Sequence, residues 1–152
     1  MATRNTQAGS VVLEALIGIL IFSMGILAIV GLLAASTKSA GDAKYRLDAS
    51  QLANQLVGQM LGSINRSSPS AQQLVALQNG FGSPSGPAYV AWLGNVTAAL
   101  PGASAVQPTV VINATASSSA NAPSSQATIT ISWNAPNEAP GAHSYTTIAQ
   151  IR

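Results

Sequence analysis

The sequence contains no cysteine, a single histidine and only four acidic residues among its 152. Without cysteine, a disulfide framework, a thiol nucleophile and a cysteine-bound metal are excluded. One imidazole and four carboxylates leave few groups for general acid–base chemistry, so we expect no catalytic site, no metal site and no cofactor. The histidine, His143, lies in a polar stretch typical of a loop, where a solvated side chain is expected rather than a ligand or a base. The chain is therefore not expected to be an enzyme.

Charged side chains make up only 7% of the chain, whereas soluble domains carry roughly 25%. The six lysines and arginines are scattered along the sequence, so no basic patch indicates binding to nucleic acid or to an anionic surface. Alanine, serine, threonine, asparagine and glycine fill much of the remainder, which suits an exported or surface-exposed protein. The length allows one modest domain and one long additional segment.

A long apolar run lies near the start of the sequence. From Ala15 to Ala35, 21 consecutive residues carry no charge, and a bilayer core about 30 Å thick needs about 20 helical residues. A secretory signal peptide has an apolar region of only about 7–15 residues, which follows positive charge and precedes a small-residue cleavage site. Here the run is longer, and Arg4 is the only basic residue before it. An ordinary single-pass anchor accounts for the length but not for Glu14, a carboxylate at the edge of the run.

From the residues alone, Glu14 is explained either by contact of its side chain with the membrane interface or by a cationic partner close to it. An ionisable group in a membrane segment costs about 2.5–3.5 kcal/mol near the middle and less toward an end, where it can reach the interface. No lysine or arginine within the run can pair with it. If the chain were cut after Gly9, the new α-amine on Ser10 would lie four residues before Glu14, on the same helical face. A carboxylate in the first turn would also be stabilised by the helix dipole.

The stretch "QAGSVVLEALIGILIFSMGILAIVGLL" resembles the N-terminus of type IV prepilins, in which a short polar leader ends in glycine and an apolar helix follows with glutamate as its fifth residue. Counted from Ser10, Glu14 is the fifth. The resemblance implies cleavage between Gly9 and Ser10 by a prepilin peptidase, and N-methylation of Ser10. It also implies an assembly role for Glu14, whose carboxylate would meet the first-residue amine of a neighbouring subunit. The family commonly has phenylalanine where this chain has Ser10.

Helical patterning continues beyond the apolar run. No proline occurs before Pro69, and apolar residues recur at every fourth position along Leu52, Leu56, Met60 and Ile64. This pattern predicts one helix from about residue 10 to about residue 64, apolar all round in its first half and one-sided in its second.

Shorter elements are predicted in the remainder. A helix is expected over 70–78, and another from Pro87 to a Pro101–Gly102 stop, with a face formed by Val90, Leu93, Val96 and Leu100. Runs at 108–115, 126–133 and 144–151 predict a small antiparallel sheet. The second run alternates cleanly and places Ile129, Ile131 and Trp133 on one face.

The C-terminal region resembles PilV-type minor pilins, in which a helix that starts with tryptophan ends in Leu-Pro-Gly before a sheet with a strand-end tryptophan. The matching positions are Trp92, Leu100, Pro101, Gly102 and Trp133, although both tryptophans are also expected simply as core residues. The resemblance implies an α+β pilin-like fold, with the long helix packed on a small antiparallel sheet. It divides the chain into a leader (1–9), a transmembrane and polymerisation half-helix (10–35), an amphipathic half-helix (36–65) and a globular domain (66–152).

The implied function is that of a minor pilin in assembly or initiation of a type IV pilus. Its implied partners are the prepilin peptidase, the inner-membrane assembly platform and other major and minor pilins. The implied location is the inner membrane, with the C-terminal domain periplasmic, and then the surface pilus. The alternatives are a minor pseudopilin of a type II secretion system and a single-pass membrane-anchored sensor or binding domain.

Two further features remain open from the sequence. Lys38, Lys44 and Arg46 follow the apolar run while only Arg4 precedes it, so the positive-inside rule alone would place the C-terminal part in the cytoplasm; the leader signature favours the opposite orientation. Asn-x-Ser/Thr triplets, the acceptor pattern for N-linked glycans, begin at three positions. In a chain this rich in asparagine, serine and threonine such triplets arise by chance, so the sequence selects none of Asn65, Asn95 and Asn113.

Overall fold

The computed structural model describes residues 8–115, 124–135 and 138–151; residues 1–7 of the predicted leader lie outside this range. It contains an α+β arrangement with a long N-terminal helix and a three-stranded antiparallel sheet, as the sequence predicts. The elements are α1 (Ala8–Ser63), α2 (Ser70–Phe81), α3 (Pro87–Ala99), β1 (Thr109–Thr115), β2 (Ser124–Trp133) and β3 (His143–Ile151). By its internal contacts the chain divides into two units, one through Gly41 and one from Asp42 onward.

In the first unit, α1 is an uninterrupted helix whose side chains from Ser10 to Ala40 are all exposed. Its most apolar 18-residue stretch has a mean hydropathy of 2.8, and none of that stretch is buried. A core helix of a soluble protein would hide such a surface within its own chain. This helix is therefore long and apolar enough to cross a membrane.

In the second unit, α1 contributes four fully buried residues, Ala49, Ala53, Leu56 and Met60. Of the predicted line of apolar residues only the middle two, Leu56 and Met60, are fully buried, while Leu52 and Ile64 are partly buried. The reason is geometric, because a helix has 3.6 residues per turn and a strict four-residue step drifts about 40° around the axis each time. The small alanines about one and two turns before Leu56, Ala53 and Ala49, complete the contact face.

The two short helices begin as predicted and differ in detail. α2 follows Pro69 and continues to the buried Phe81, three residues beyond the expected end, because the Gly82 N–H still donates to Gln78 O at 2.9 Å. In α3 the predicted face is partly wrong, since Val90 is 52% exposed. The buried positions of that helix are instead Tyr89, Trp92 and Val96. Turning the two rings inward removes more apolar area from water than burying one valine.

The sheet has the order β1-β2-β3 with antiparallel pairing throughout. The predicted inner face of β2, formed by Ile129, Ile131 and Trp133, is fully buried. Other parts of the chain bond to the outer edge of β1. The Ser83 N–H donates to Val110 O, the Val110 N–H donates to Ser83 Oγ, and Gln78 Nε2 donates to Ile112 O at 2.7 Å. At Val110 and Ile112 the outer edge of the sheet is thus bonded to α2 and to the segment after it.

Candidate functional site

The predicted assembly residue Glu14 lies in α1, one helical turn after Ser10, and both side chains are exposed. Within the described residues, Glu14 takes part in no hydrogen bond or ion pair. The described part of the helix extends through Gly9 to Ala8, two residues before the predicted start. The sequence-predicted site residues therefore share one continuous helix, with the carboxylate four positions after the first residue of the predicted mature chain.

The surface of α1 that follows Glu14 is apolar along the whole run from Ala15 to Ala35. The only hydroxyl between Ala15 and Ala35 belongs to Ser23, which donates to Ile19 O at 2.7 Å. Just beyond the run, the Thr37 hydroxyl donates to Leu33 O at 2.8 Å. Such bonds to the carbonyl four residues earlier satisfy a hydroxyl without a partner from outside the helix. Glu14 is then the one ionisable group on this surface, and its charge is not compensated by the described part of the chain.

The residues that carry the second resemblance come together in the second unit. Trp92 is buried and donates from Nε1 to Leu52 O at 2.9 Å, which fixes α3 against α1. Leu100, which follows α3 and is the last residue of the face predicted from the sequence, is also buried. The N–H of Asn134, one residue after Trp133, donates to Pro101 O at 3.1 Å. The Leu-Pro-Gly turn is therefore held against the end of β2.

Gly102 has a structural requirement at this turn. Its φ is +74°, a left-handed conformation, and a Cβ at this position would overlap Asn134 Oδ1. Glycine alone combines that backbone with so close an approach. Both predicted core tryptophans are buried, Trp92 being 1% and Trp133 3% exposed. The stretch acts in the fold, and no ligand is needed to account for it.

His143 is not the solvated loop residue that its surroundings in the sequence predicted. It is the first residue of β3, and its ring stacks on Trp133 with centroids 5.8 Å apart and planes at 20°. Its Nε2 lies 2.7 Å from Glu138 Oε2, an oxygen that also accepts from the Ala135 N–H at 3.3 Å. The sequence spacing of five residues gave no sign of this contact, because neither residue belongs to a helix or strand pattern that would bring their side chains together.

Other polar chemistry in the described residues is sparse. Tyr89 donates from its hydroxyl to Pro108 O at 2.7 Å, and burial raises the pKa of this tyrosine above 10.0. Within the described residues, no group of three or more histidine, aspartate or glutamate side chains could hold a metal ion. Among the residues that the structure describes, the features with chemical character are thus the carboxylate without a partner on an apolar helix and the hydrogen-bonded turn of the second unit.

Comparison of the chain with family models, with curated proteins and with solved structures gives no match in any of the three.

Proposed function

We propose that this chain is a minor pilin of a type IV pilus, cut between Gly9 and Ser10 and incorporated into the fibre through its apolar helix. The observation that carries the proposal is Glu14, an exposed carboxylate without a partner in the described chain, on an apolar helix and four residues after Ser10. The α+β arrangement of a long helix and a small antiparallel sheet supports the same function.

The proposed mechanism uses one charged pair to specify how apolar helices associate. Lipid tails are as apolar as leucine, so hydrophobicity alone neither drives nor aligns helices within a membrane. A carboxylate in that environment needs a cationic partner. Cleavage would create one, the α-amine of Ser10, and the carboxylate of Glu14 would meet that amine on a neighbouring subunit. A buried polar pair of this kind is best suited to fixing register, and it would set the stagger between neighbouring helices.

The proposed partners follow from this mechanism. A prepilin peptidase would cut the leader, the inner-membrane assembly platform would extract the subunit, and major and minor pilins would surround α1 in the fibre. The second unit would lie in the periplasm before assembly and on the pilus surface afterwards. N-methylation of Ser10 would retain the positive charge of the amine.

The test is the N-terminus of protein isolated from its own cells. We expect mass spectrometry to show a mature chain that begins at Ser10, with one additional methyl group. A chain that begins at Met1 or Ala2 would contradict the proposal and favour a single-pass anchor. A chain that begins at Ser10 but is never recovered in sheared surface fibres would favour a secretion pseudopilin.

The role of Glu14 is tested by Glu14→Ala, with Asp42→Ala as a control that also removes one carboxylate. Breaking a buried pair by removal of one partner costs about 3–5 kcal/mol, and 1.4 kcal/mol is about tenfold in an equilibrium. We therefore expect Glu14→Ala to lower recovery in sheared fibres by more than about 100-fold while membrane insertion is unchanged. Equal recovery of both variants would refute the pairing mechanism.

A further inference from the structure

The three Asn-x-Ser/Thr triplets lie in three different backbone settings. Asn95 lies inside α3, and Asn113 lies inside β1, where it is in register with Gln126. Asn65 lies between α1 and α2, outside the helices and strands. An enzyme that modifies such a triplet must bind its backbone, and the backbone groups of a helix or a ladder already have partners. Surface loops are accordingly where these triplets act as acceptors.

The hydroxyl residue that ends each triplet separates them further. Thr97 Oγ1 is bonded to two carbonyls of its own helix, at 3.0 and 3.1 Å. Thr115 Oγ1 is buried and has no hydrogen-bond partner among the described residues. Ser67 is exposed, together with the two residues before it. Asn95 and Thr97 are exposed too, but the Thr97 hydroxyl is already bonded within its helix. Of the three hydroxyls, only that of Ser67 is both exposed and without a hydrogen bond among the described residues.

The turn at Asn65 is also well defined. Asn65 Oδ1 accepts from the Ser67 N–H at 3.1 Å, and the Asn65 carbonyl accepts from Ser68 N at 3.0 Å and from Gln73 Nε2 at 3.2 Å. These bonds use the oxygens of Asn65. They leave its Nδ2, the atom that carries an N-linked sugar, without a hydrogen-bond partner in the described residues.

We propose that Asn65 is an acceptor for an N-linked glycan and that Asn95 and Asn113 are not. In the transfer, Asn65 Nδ2 forms a bond to the anomeric carbon of an oligosaccharide carried on a polyisoprenoid diphosphate. The bond from that carbon to the diphosphate oxygen breaks, and its electron pair leaves with the carrier. The proton of Nδ2 goes to a basic group of the transferase. The inference rests on the proposed function in one respect, since the second unit has to reach the compartment where such transfer takes place.

The experiment is peptide mass spectrometry of the full chain purified from its own cells. We expect the peptide that contains Asn65 to carry an additional mass of whole sugar residues, and the peptides that contain the other two asparagines to carry none. Asn65→Gln and Ser67→Ala should each remove the additional mass, and Ser67→Thr should retain it. Asn95→Gln and Asn113→Gln are matched controls that should leave the additional mass unchanged.

Each result decides the proposal. An unmodified Asn65 in wild-type protein, or sugar on Asn95 or Asn113, overturns it, as does additional mass that survives both Asn65→Gln and Ser67→Ala. The same spectra contain the N-terminal peptide, so the two proposals fail separately. A chain that begins at Ser10 with a bare Asn65 refutes the glycan alone, and a chain that begins at Met1 refutes the assembly function alone.

Discussion

Replacing Gly102 with alanine should destabilise the second unit strongly. The left-handed conformation at this residue, with φ of +74°, costs an ordinary side chain about 1–2 kcal/mol. The new methyl group would also overlap Asn134 Oδ1, and relief of such overpacking typically costs about 1–3 kcal/mol. Rotation of the asparagine would in addition release its long bond to Glu138 O, 3.4 Å, which contributes little at that distance. Together these two costs predict a loss of about 2–5 kcal/mol in the free energy of unfolding.

Gly141→Ala is the matched control, because Gly141 also has a positive φ, +72°, while its nearest neighbour would be Val106 Cγ2 at 3.4 Å. It should lose only the conformational part, about 1–2 kcal/mol. Urea unfolding of the full chain in detergent micelles, followed by tryptophan fluorescence, measures both variants, since Trp92 and Trp133 lie in the core of this unit. Equal losses would show that the asparagine does not lie against Gly102, and the contact would have to be abandoned.

Three further predictions concern the same unit. Trp92→Phe should cost about 1 kcal/mol more than Trp133→Phe in urea unfolding, because a net hydrogen bond contributes about 0.5–1.5 kcal/mol. Trp92 Nε1 donates to Leu52 O, whereas Trp133 Nε1 has no partner in the described residues. Equal losses for the two variants would contradict this prediction. Because burial raises the pKa of Tyr89, the folded state holds the hydroxyl proton more tightly than the unfolded state. The stability that Tyr89 contributes should be constant below pH 10, and it should be lost as the pH rises through the pKa of the folded state. Tyr89→Phe should remove that decline while lowering the baseline, and a profile identical to wild type would refute the assignment. Gly94→Ala should stabilise the unit by about 0.5–1 kcal/mol, because alanine favours a helix over glycine by about that amount and no atom outside the helix backbone lies within 4 Å of the added Cβ. A loss of stability would mean that the added methyl group contacts another part of the chain.

The elements of this fold follow closely from local patterns in the sequence. Pro69 and the Pro101–Gly102 stop delimit the two short helices, and alternation in 126–133 identifies the central strand and its buried face. Which residues of α3 point inward did not follow, since Val90 and Trp92 are both apolar and the choice depends on what packs opposite. The end of α2 was missed for a related reason, because burial of Phe81 favours three more helical residues than composition suggests.

The candidate sites divide in the same way. Glu14 and Ser10 stay predictions, and both the resemblance and the four-residue spacing that single them out depend only on residues near one another in the sequence. The contacts of Gly102 with Asn134 and of His143 with Glu138 depend on segments brought together by the sheet, and no local pattern encodes them. The sequence likewise could not rank the three asparagine triplets, because helix formation bonds the Thr97 hydroxyl to carbonyls of its own helix and folding of the second unit buries the Thr115 hydroxyl.

The hydroxyl of Ser23 is satisfied within α1, and the backbone of an α-helix is satisfied there too. Between Ala15 and Ala35 the helix therefore satisfies its polar groups internally, whatever surrounds it. Transfer of this length between two apolar surroundings, such as lipid and a bundle of apolar helices, breaks no hydrogen bond. The free energy of that transfer then depends on how well the side chains pack. If the helix moves from a membrane into a fibre, as proposed, the carboxylate at position 14 is then the one side chain near this length whose polar interactions would have to change.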